Sequence, residues 1–127
     1  MSCLFTNQMR IMLYVTDVEA SSQFWQKIGF VEVQREAVDG TLVIEIAPSP
    51  TAEVIIVLYE LAFIQQHSPE VASNTPSIMF TSNDVMALYQ KMKNADVKVG
   101  ELIQLPTGLV FNFSDNDGNY YAVNHCD

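Results

Sequence analysis

The sequence predicts an α+β fold built from two βαβββ modules in tandem. The 127 residues suit one ordinary domain. The stretch that begins at Ile11 aligns without a gap with the stretch that begins at Ile78, an offset of 67 residues. In both stretches a β-rich run is followed by an amphipathic helix and then by three more β-rich runs, so the structural roles repeat along the chain.

The two predicted helices share a start signal and an apolar periodicity. Asp17 and Asp84 precede them as N-caps, whose carboxylates accept hydrogen bonds from the first free N–H groups of a helix. Core-facing positions then recur at the 3, 4, 3 spacing of one helical face: Val18, Ser21, Trp25 and Ile28 in the first helix, and Val85, Leu88, Met92 and Ala95 in the second. Gly29 is predicted to end the first helix, and 94–96 the second.

The predicted strands occur in the same order in both modules. They cover 10–15, 31–37, 41–46 and 53–59 in the first module, and 77–81, 97–104, 109–113 and 120–125 in the second. Asp39-Gly40 and Asp117-Gly118 are hairpin-type turn signals. We therefore predict a single domain over 1–127. Its modules, about 9–60 and 76–127, are joined by a connector at 61–75, a loop with one helical turn at its start.

Composition and charge exclude several functional classes. Hydrophobic residues make up 49% and charged residues 17%, which is typical of a globular chain. A net charge of -9 repels phosphate backbones and anionic lipid, so we expect neither a nucleic-acid nor a membrane partner. The densest apolar run, 54–64, is interrupted by Glu60, and no export signal is visible, so we expect a cytoplasmic protein. Cys3 and Cys126 lack metal-binding spacing and are expected to be reduced thiols.

Two local motifs carry a resemblance to a known family. They are YVTDVEASSQFWQKIGF at 14–30 and FNFSDNDGNYYAV at 111–123, in which Asn116 stands where the family usually has proline. Together with the duplication they resemble the vicinal oxygen chelate superfamily, which includes glyoxalase I, bleomycin-resistance proteins and ring-cleaving dioxygenases. The resemblance implies curved mixed sheets around a cleft, helices on the outer face, and a homodimer.

The same resemblance implies where a metal would bind. In metal-using members, each module supplies a His or Gln from its first strand and a Glu from its last strand. Those positions fall here at Arg10 and Ser77, and at Ile55 or Ile56 and Ala122. None of these side chains is a metal ligand, and His67 and His125 have no partner at ligand spacing. We therefore predict no metal and no cofactor.

Strand alternation selects the residues expected to line the cleft. Side chains alternate between the two faces of a sheet, so residues that share a face with Arg10 and Ser77 face the cleft. The predicted ligand-binding residues are Arg10, Met12, Tyr14, Glu45, Ile55, Ser77, Met79, Thr81, Asn112, Tyr120, Ala122 and Asn124. A mostly apolar surface with a few polar groups is typical of a small-molecule site.

Four polar residues of this set are expected to orient a ligand: Arg10, Tyr14, Glu45 and Asn112. Glu45, enclosed by Met and Val side chains, suits a catalytic base or a partner for a ligand cation. Arg10 suits a bidentate clamp on a carboxylate or phosphate. The alternatives for both residues are an internal salt bridge between them or a solvated position on a strand.

Three functions follow from this surface. The first is metal-free binding of a small hydrophobic or cationic molecule in the cleft, similar to bleomycin-resistance proteins, which sequester a drug unchanged. The alternative is a lyase, isomerase or dioxygenase-type enzyme of the same superfamily, with a non-standard metal site or with Glu45 as base. In the third, the cleft is vestigial and the domain only mediates association.

Overall fold

The computed structural model describes residues 3–126. It confirms the α+β class and the order of two βαβββ modules. The chain divides into two compact units between Pro76 and Ser77. We call residues 3–76 module 1 and residues 77–126 module 2, and each is described by itself. No helix within residues 3–126 has the length and apolar character needed to cross a membrane.

Module 1 is a four-stranded mixed sheet with a helix packed on one face. Its elements are β1 (Met9–Val15), α1 (Val18–Lys27), β2 (Val31–Val38), β3 (Thr41–Ala47), β4 (Val54–Glu60) and α2 (Leu61–His67). The strand order is β1-β4-β3-β2, with β1 and β4 parallel and the other pairs antiparallel. A parallel β1–β4 pair requires a crossover, which α1, β2 and β3 provide.

Module 2 repeats this topology with shorter strands. Its elements are β5 (Met79–Ser82), α3 (Val85–Asn94), β6 (Ile103–Leu105), β7 (Gly108–Ser114) and β8 (Tyr120–His125). The strand order is β5-β8-β7-β6, and the β5–β8 pair is parallel. Each strand therefore has the same neighbours as its counterpart in module 1.

Both main helices begin as the sequence predicts. Asp17 Oδ1 accepts from the Ala20 amide at 3.1 Å, and Asp84 Oδ1 accepts from the Ala87 amide at 3.1 Å. Trp25, at 0% exposure, packs edge-on against Phe24 and Phe30, with ring centroids 5.6 and 4.9 Å away. Met92 is its counterpart in α3 and is also buried, at 2% exposure.

The two predicted turns have different constructions. Asp39 (φ 51°) and Gly40 (φ 82°) form the two-residue connection between β2 and β3, where both residues need positive φ. The β7–β8 connection, 115–119, is longer and is organised by the buried side chain of Asp115. Its carboxylate accepts from the amides of Asp117 and Asn119 at 2.9 Å, and from the Tyr121 hydroxyl at 2.9 Å.

Two predicted elements differ from the structure. The start of the connector is not a single helical turn, because α2 runs for seven residues, anchored by the buried side chain of Ile64. The predicted strand at 97–104 is reduced to β6, with one isolated bridge between Val99 and Phe113. Segment 97–102 still bonds to β7, since the Gly100 amide donates to the Asn112 carbonyl and the Ser114 amide to the Lys98 carbonyl, but it forms no continuous ladder.

The 67-residue offset does not hold in the last strands. In module 1, Met12 and Glu45 flank Val57 on β4, whereas in module 2, Met79 and Asn112 flank Ala122 on β8. Ala122 therefore matches Val57, an offset of 65, and not Ile55, because Ala122 follows its β7 partner Asn112 by ten residues whereas Val57 follows its β3 partner Glu45 by twelve. A slip of two residues keeps every side chain on its face of the sheet, so the predicted face assignment is unchanged.

Candidate functional site

Strand alternation separates a helix-packed face from a second face in each module. In module 1 the helix-packed face holds the buried side chains of Leu13, Val15, Ile44, Ile46 and Leu58. We call the opposite side of each sheet its open face. The open face of module 1 carries Arg10, Met12, Tyr14, Glu45 and Ile55, together with Val43, Val57 and Tyr59. The first five are predicted site residues.

The polar part of this open face is the ion pair between Arg10 and Glu45. Arg10 Nε lies 3.9 Å from Glu45 Oε1, and the two side chains are 56% and 15% exposed. The internal salt bridge considered from the sequence is therefore present, although the pair is loose. An exposed guanidinium over an enclosed carboxylate leaves N–H donors of Arg10 directed to solvent.

The apolar part of the same face is only partly accessible. Val43 and Val57 are 4% exposed, so they support the surface more than they line it, while Met12 is 38% exposed. A cavity of about 310 Å³ lies at the Arg10 end. It is lined by Gln8, Met9, Arg10, Pro50, Thr51, Ala52, Glu53 and Ile55. Arg10 and Ile55 are thus brought together at one end, away from Tyr14.

The open face of module 2 contains a shallow cavity of about 380 Å³. It is lined by Ser77, Ile78, Met79, Asn112, Tyr120, Tyr121 and Ala122, five of which are predicted site residues. Two of the lining residues, Ala122 and Asn112, pair across β7 and β8, and the Asn112 carbonyl accepts from the Gly100 amide. Ser77 belongs to this cavity although β5 begins only at Met79.

Thr81 and Asn124 form the next row of the same face. They are paired across β5 and β8, and Asn124 is also paired with Val110 of β7. Neither residue lines the 380 Å³ cavity. Asn124 Oδ1 is buried and, among the described residues, has no hydrogen-bond partner, so it is an acceptor available to a donor that reaches it.

Lys98, which sequence analysis did not identify, lies beside Tyr120 and forms a polar corner with it. Tyr120 lines the cavity, and Lys98 adjoins it only through this contact. Its Nζ lies 5.6 Å from the centroid of the Tyr120 ring. Hydrogen bonding to the Tyr120 side chain is the main cause of a raised pKa for Lys98. No periodicity could reveal this contact, because Lys98 lies in the irregular segment 97–102 and is placed by one backbone bond to Ser114.

The side chains at the family's metal positions do not fit a metal ion. Arg10 is cationic and is held by Glu45, Ile55 and Ala122 have no donor atom, and Ser77 has only a neutral hydroxyl. Across residues 3–126, no group of three or more His, Cys, Asp or Glu side chains could hold a metal. His67 is exposed and stacks on Phe63, while His125 packs against Gly108.

Comparisons with known proteins agree with this fold. Residues 8–123 match the model of the Glyoxalase/Bleomycin resistance protein/Dioxygenase superfamily. A search of curated proteins found no match. Among solved structures, a member of that superfamily from Sphaerobacter thermophilus DSM 20745 superposes with a TM-score of 0.81 at 18% identity. The similarity covers 98% of this chain and 100% of that chain.

Two further structures have the same fold with different described roles. TnmS3, an antibiotic binding protein from Streptomyces sp. CB03234, superposes with a TM-score of 0.80 at 20% identity, covering 99% of this chain and 100% of that chain. FosX, a fosfomycin resistance protein from Listeria monocytogenes, superposes with a TM-score of 0.71 at 16% identity. The similarity covers 98% of this chain and 96% of that chain. At these identities the likeness shows a shared fold.

Proposed function

Because the chain belongs to the glyoxalase/bleomycin resistance protein/dioxygenase superfamily, we propose that it binds a small hydrophobic or cationic molecule on its open faces without using a metal ion. The observation that carries the proposal is the chemistry of the positions that hold metal in metal-using members. A guanidinium in an ion pair, a serine and two aliphatic side chains occupy them. Each module has a cavity that can supply binding surface: the one in module 2 is lined mainly by apolar groups, and the one in module 1 also has polar groups from Gln8, Arg10, Thr51 and Glu53.

Binding without turnover is consistent with one of the structural relatives. TnmS3 is described as an antibiotic binding protein, and its chain is matched over its whole length. By this analogy the protein sequesters an antibiotic or another toxic small molecule. Glu45 gives the surface an anionic group for a ligand cation, and Met12 and Met79 give it adaptable apolar contacts.

The proposal is tested by metal titration followed by a ligand screen. Protein purified without chelator is titrated with Zn²⁺, Ni²⁺, Co²⁺, Mn²⁺ and Fe²⁺, and metal content and Tm are measured. We expect no stoichiometric metal and no rise in Tm, because an ion bound specifically to the folded state would raise it. One equivalent of metal with a raised Tm would refute the metal-free proposal.

The ligand arm compares two variants with the same charge change. Aromatic and cationic compounds are screened by Tm shift against the wild type, Glu45→Gln and Glu70→Gln. Glu70 lies exposed in the connector, so its variant controls for net charge. We expect Glu45→Gln to weaken cationic ligands about tenfold and Glu70→Gln to leave them unchanged, since a charge-assisted hydrogen bond contributes roughly 1.5–3 kcal/mol. Equal binding by all three proteins would remove Glu45 from the site.

A second candidate function is catalysis with Glu45 as base. The observation that favours it is the enclosure of this carboxylate, which is 15% exposed on a face that is otherwise mostly apolar. In this case Glu45→Gln abolishes turnover of a compound that the wild type converts. Retained turnover in that variant would exclude the role.

Assembly as a homodimer in the cytoplasm completes the proposal. Large apolar side chains in module 1 support self-association, since Leu4 is 94% exposed and Phe5 is 96% exposed. Light scattering coupled to size exclusion tests this point. A mass of twice 14.2 kDa is expected, and a single-chain mass at high concentration would contradict it.

A further inference from the structure

Lys98 and Tyr120 form a positively charged corner on the open face of module 2. The Lys98 ammonium lies 5.6 Å from the Tyr120 ring centroid, and Tyr120 itself is 56% exposed at the cavity wall. Among the described residues, salt bridges involve Arg10 and Arg35, and none neutralises Lys98. The corner therefore presents a positive charge next to an accessible aromatic ring.

Backbone pairing fixes this corner. Ser114 on β7 pairs with Tyr120 on β8 and donates its amide to the Lys98 carbonyl at 2.9 Å. The two side chains therefore emerge from neighbouring segments on either side of Ser114. The next pair along β7 and β8 is Asn112 with Ala122, and both residues line the cavity together with Tyr120.

We propose that this corner makes the 380 Å³ cavity of module 2 selective for aromatic ligands that carry an anionic oxygen, a carboxylate or phenolate, on the ring. The ligand ring packs against Tyr120 beside Asn112 and Ala122, and its oxygen accepts hydrogen bonds from the Lys98 ammonium and the Tyr120 hydroxyl. The inference rests on the proposed function and narrows its hydrophobic class to acidic aromatic molecules.

The chain supplies a matched control for this corner. Lys93 Nζ lies 5.5 Å from the Tyr89 ring centroid, which is nearly the same cation–π geometry. That pair lies on α3, on the helix side of module 2, away from the cavity. Lys93→Met and Lys98→Met therefore remove the same charge and the same kind of contact, and only Lys98→Met alters the corner.

The test uses three probes with the same ring system and different charges. 2-Naphthoate is the anionic probe, 2-naphthamide the neutral one and 2-naphthylmethylammonium the cationic one. Binding to the full chain is followed by two-dimensional amide NMR titration. We expect naphthoate to bind roughly tenfold tighter than naphthamide, with shifts at Tyr120 and Ala122, and its affinity to fall as salt is added. Lys98→Met removes this preference, Lys93→Met keeps it, and Tyr120→Leu weakens all three probes.

The outcomes separate this inference from the proposed function. Equal binding of naphthoate and naphthamide, or an unchanged preference in Lys98→Met, overturns the inference and leaves metal-free binding standing. Tighter binding of the ammonium probe also overturns it and favours a cationic ligand. If none of the probes binds module 2 at millimolar concentration, the aromatic cavity is wrong and the inference fails with it.

Discussion

The two modules share a topology but stabilise it by different chemistry. In module 1 an exposed ion network joins the helix to the edge strand: Arg35 contacts Glu19 at 2.9 Å and Glu32 at 2.8 Å. In module 2 the positions at the same offset are Met86, Val99 and Leu102, and the polar network lies instead at the β7–β8 connection, around the buried Asp115. The duplicated fold therefore requires the core pattern, and each copy has its own polar supports.

The open faces differ in the same way. The row Met12–Val57–Glu45 of module 1 corresponds to Met79–Ala122–Asn112 of module 2. A charged, enclosed side chain in one copy is matched by a neutral, exposed one in the other. Equivalent positions in the two modules therefore suit ligand groups of different chemistry, and a duplicated scaffold need not have duplicated sites.

The largest expected effect comes from the two matched core positions under the sheets. Trp25→Ala should destabilise the fold by about 4 kcal/mol and Met92→Ala by about 3 kcal/mol, since each leaves a cavity in a buried layer and the indole is larger. Urea unfolding followed by circular dichroism measures both free energies of unfolding. Tryptophan fluorescence would not serve, because Trp25 is the one tryptophan of the sequence and one of the variants removes it. A larger loss for Met92→Ala would mean that module 2 holds the less adaptable core.

The next effect concerns the buried carboxylate of module 2. Asp115→Ala should cost about 3 kcal/mol, because the Tyr121 hydroxyl and two backbone amides lose their acceptor. Tyr121→Phe should cost about 1 kcal/mol, because it removes one of these bonds. Urea unfolding of both variants and of the double variant measures the coupling.

The double variant decides whether these groups act as one unit. If they do, its loss is smaller than the sum of the single losses, because Asp115→Ala has already removed the hydrogen bond from the Tyr121 hydroxyl to the Asp115 carboxylate. Strict additivity would contradict the network. Burial, together with the Asp115 carboxylate, raises the pKa of Tyr121 above its usual 10.0. The neutral phenol therefore stabilises module 2 below about pH 10, and this contribution is lost as the pH rises further.

Much of this fold could be predicted from local sequence signals. The caps at Asp17 and Asp84, the core spacing and the Asp39-Gly40 turn act within a few residues, so the sequence alone predicts them. The register of β8 could not be predicted, because it depends on the length of the connection at 115–119. The ungapped 67-residue alignment rests on the first strands, the helices and the third strands, and the two-residue difference between the modules comes after them.

The candidate site could be predicted only in part for a related reason. Alternation assigns a face to a residue in a regular strand, and this placed Ser77, Met79 and Asn112 around one cavity. Lys98 could not be predicted as a site residue, because segment 97–102 forms no continuous ladder. Strand alternation therefore does not assign its side chain to a face of the sheet. The burial of Val43 and Val57 on the open face could not be predicted either, because it depends on tertiary packing and not on the local sequence pattern.

The smallest expected effect, and the one that isolates the polar support of module 1, concerns Glu32. Hydrogen bonding from Arg35 is the main cause that lowers the pKa of Glu32 below 4.5. A lowered pKa in the folded state means that the ionised form contributes stability above about pH 4.5, and that this contribution disappears as the pH falls through the lowered value. Glu32→Gln should therefore reduce Tm by roughly 2 °C at pH 7, and the difference from the wild type should shrink at low pH and in 1 M salt.

Glu36→Gln, four residues along the same exposed edge strand, makes the same charge change outside the network and should leave Tm nearly unchanged. If the two variants behave alike across the pH range, the ion network does not stabilise module 1, and the comparison between the modules reduces to the buried Asp115 cluster alone.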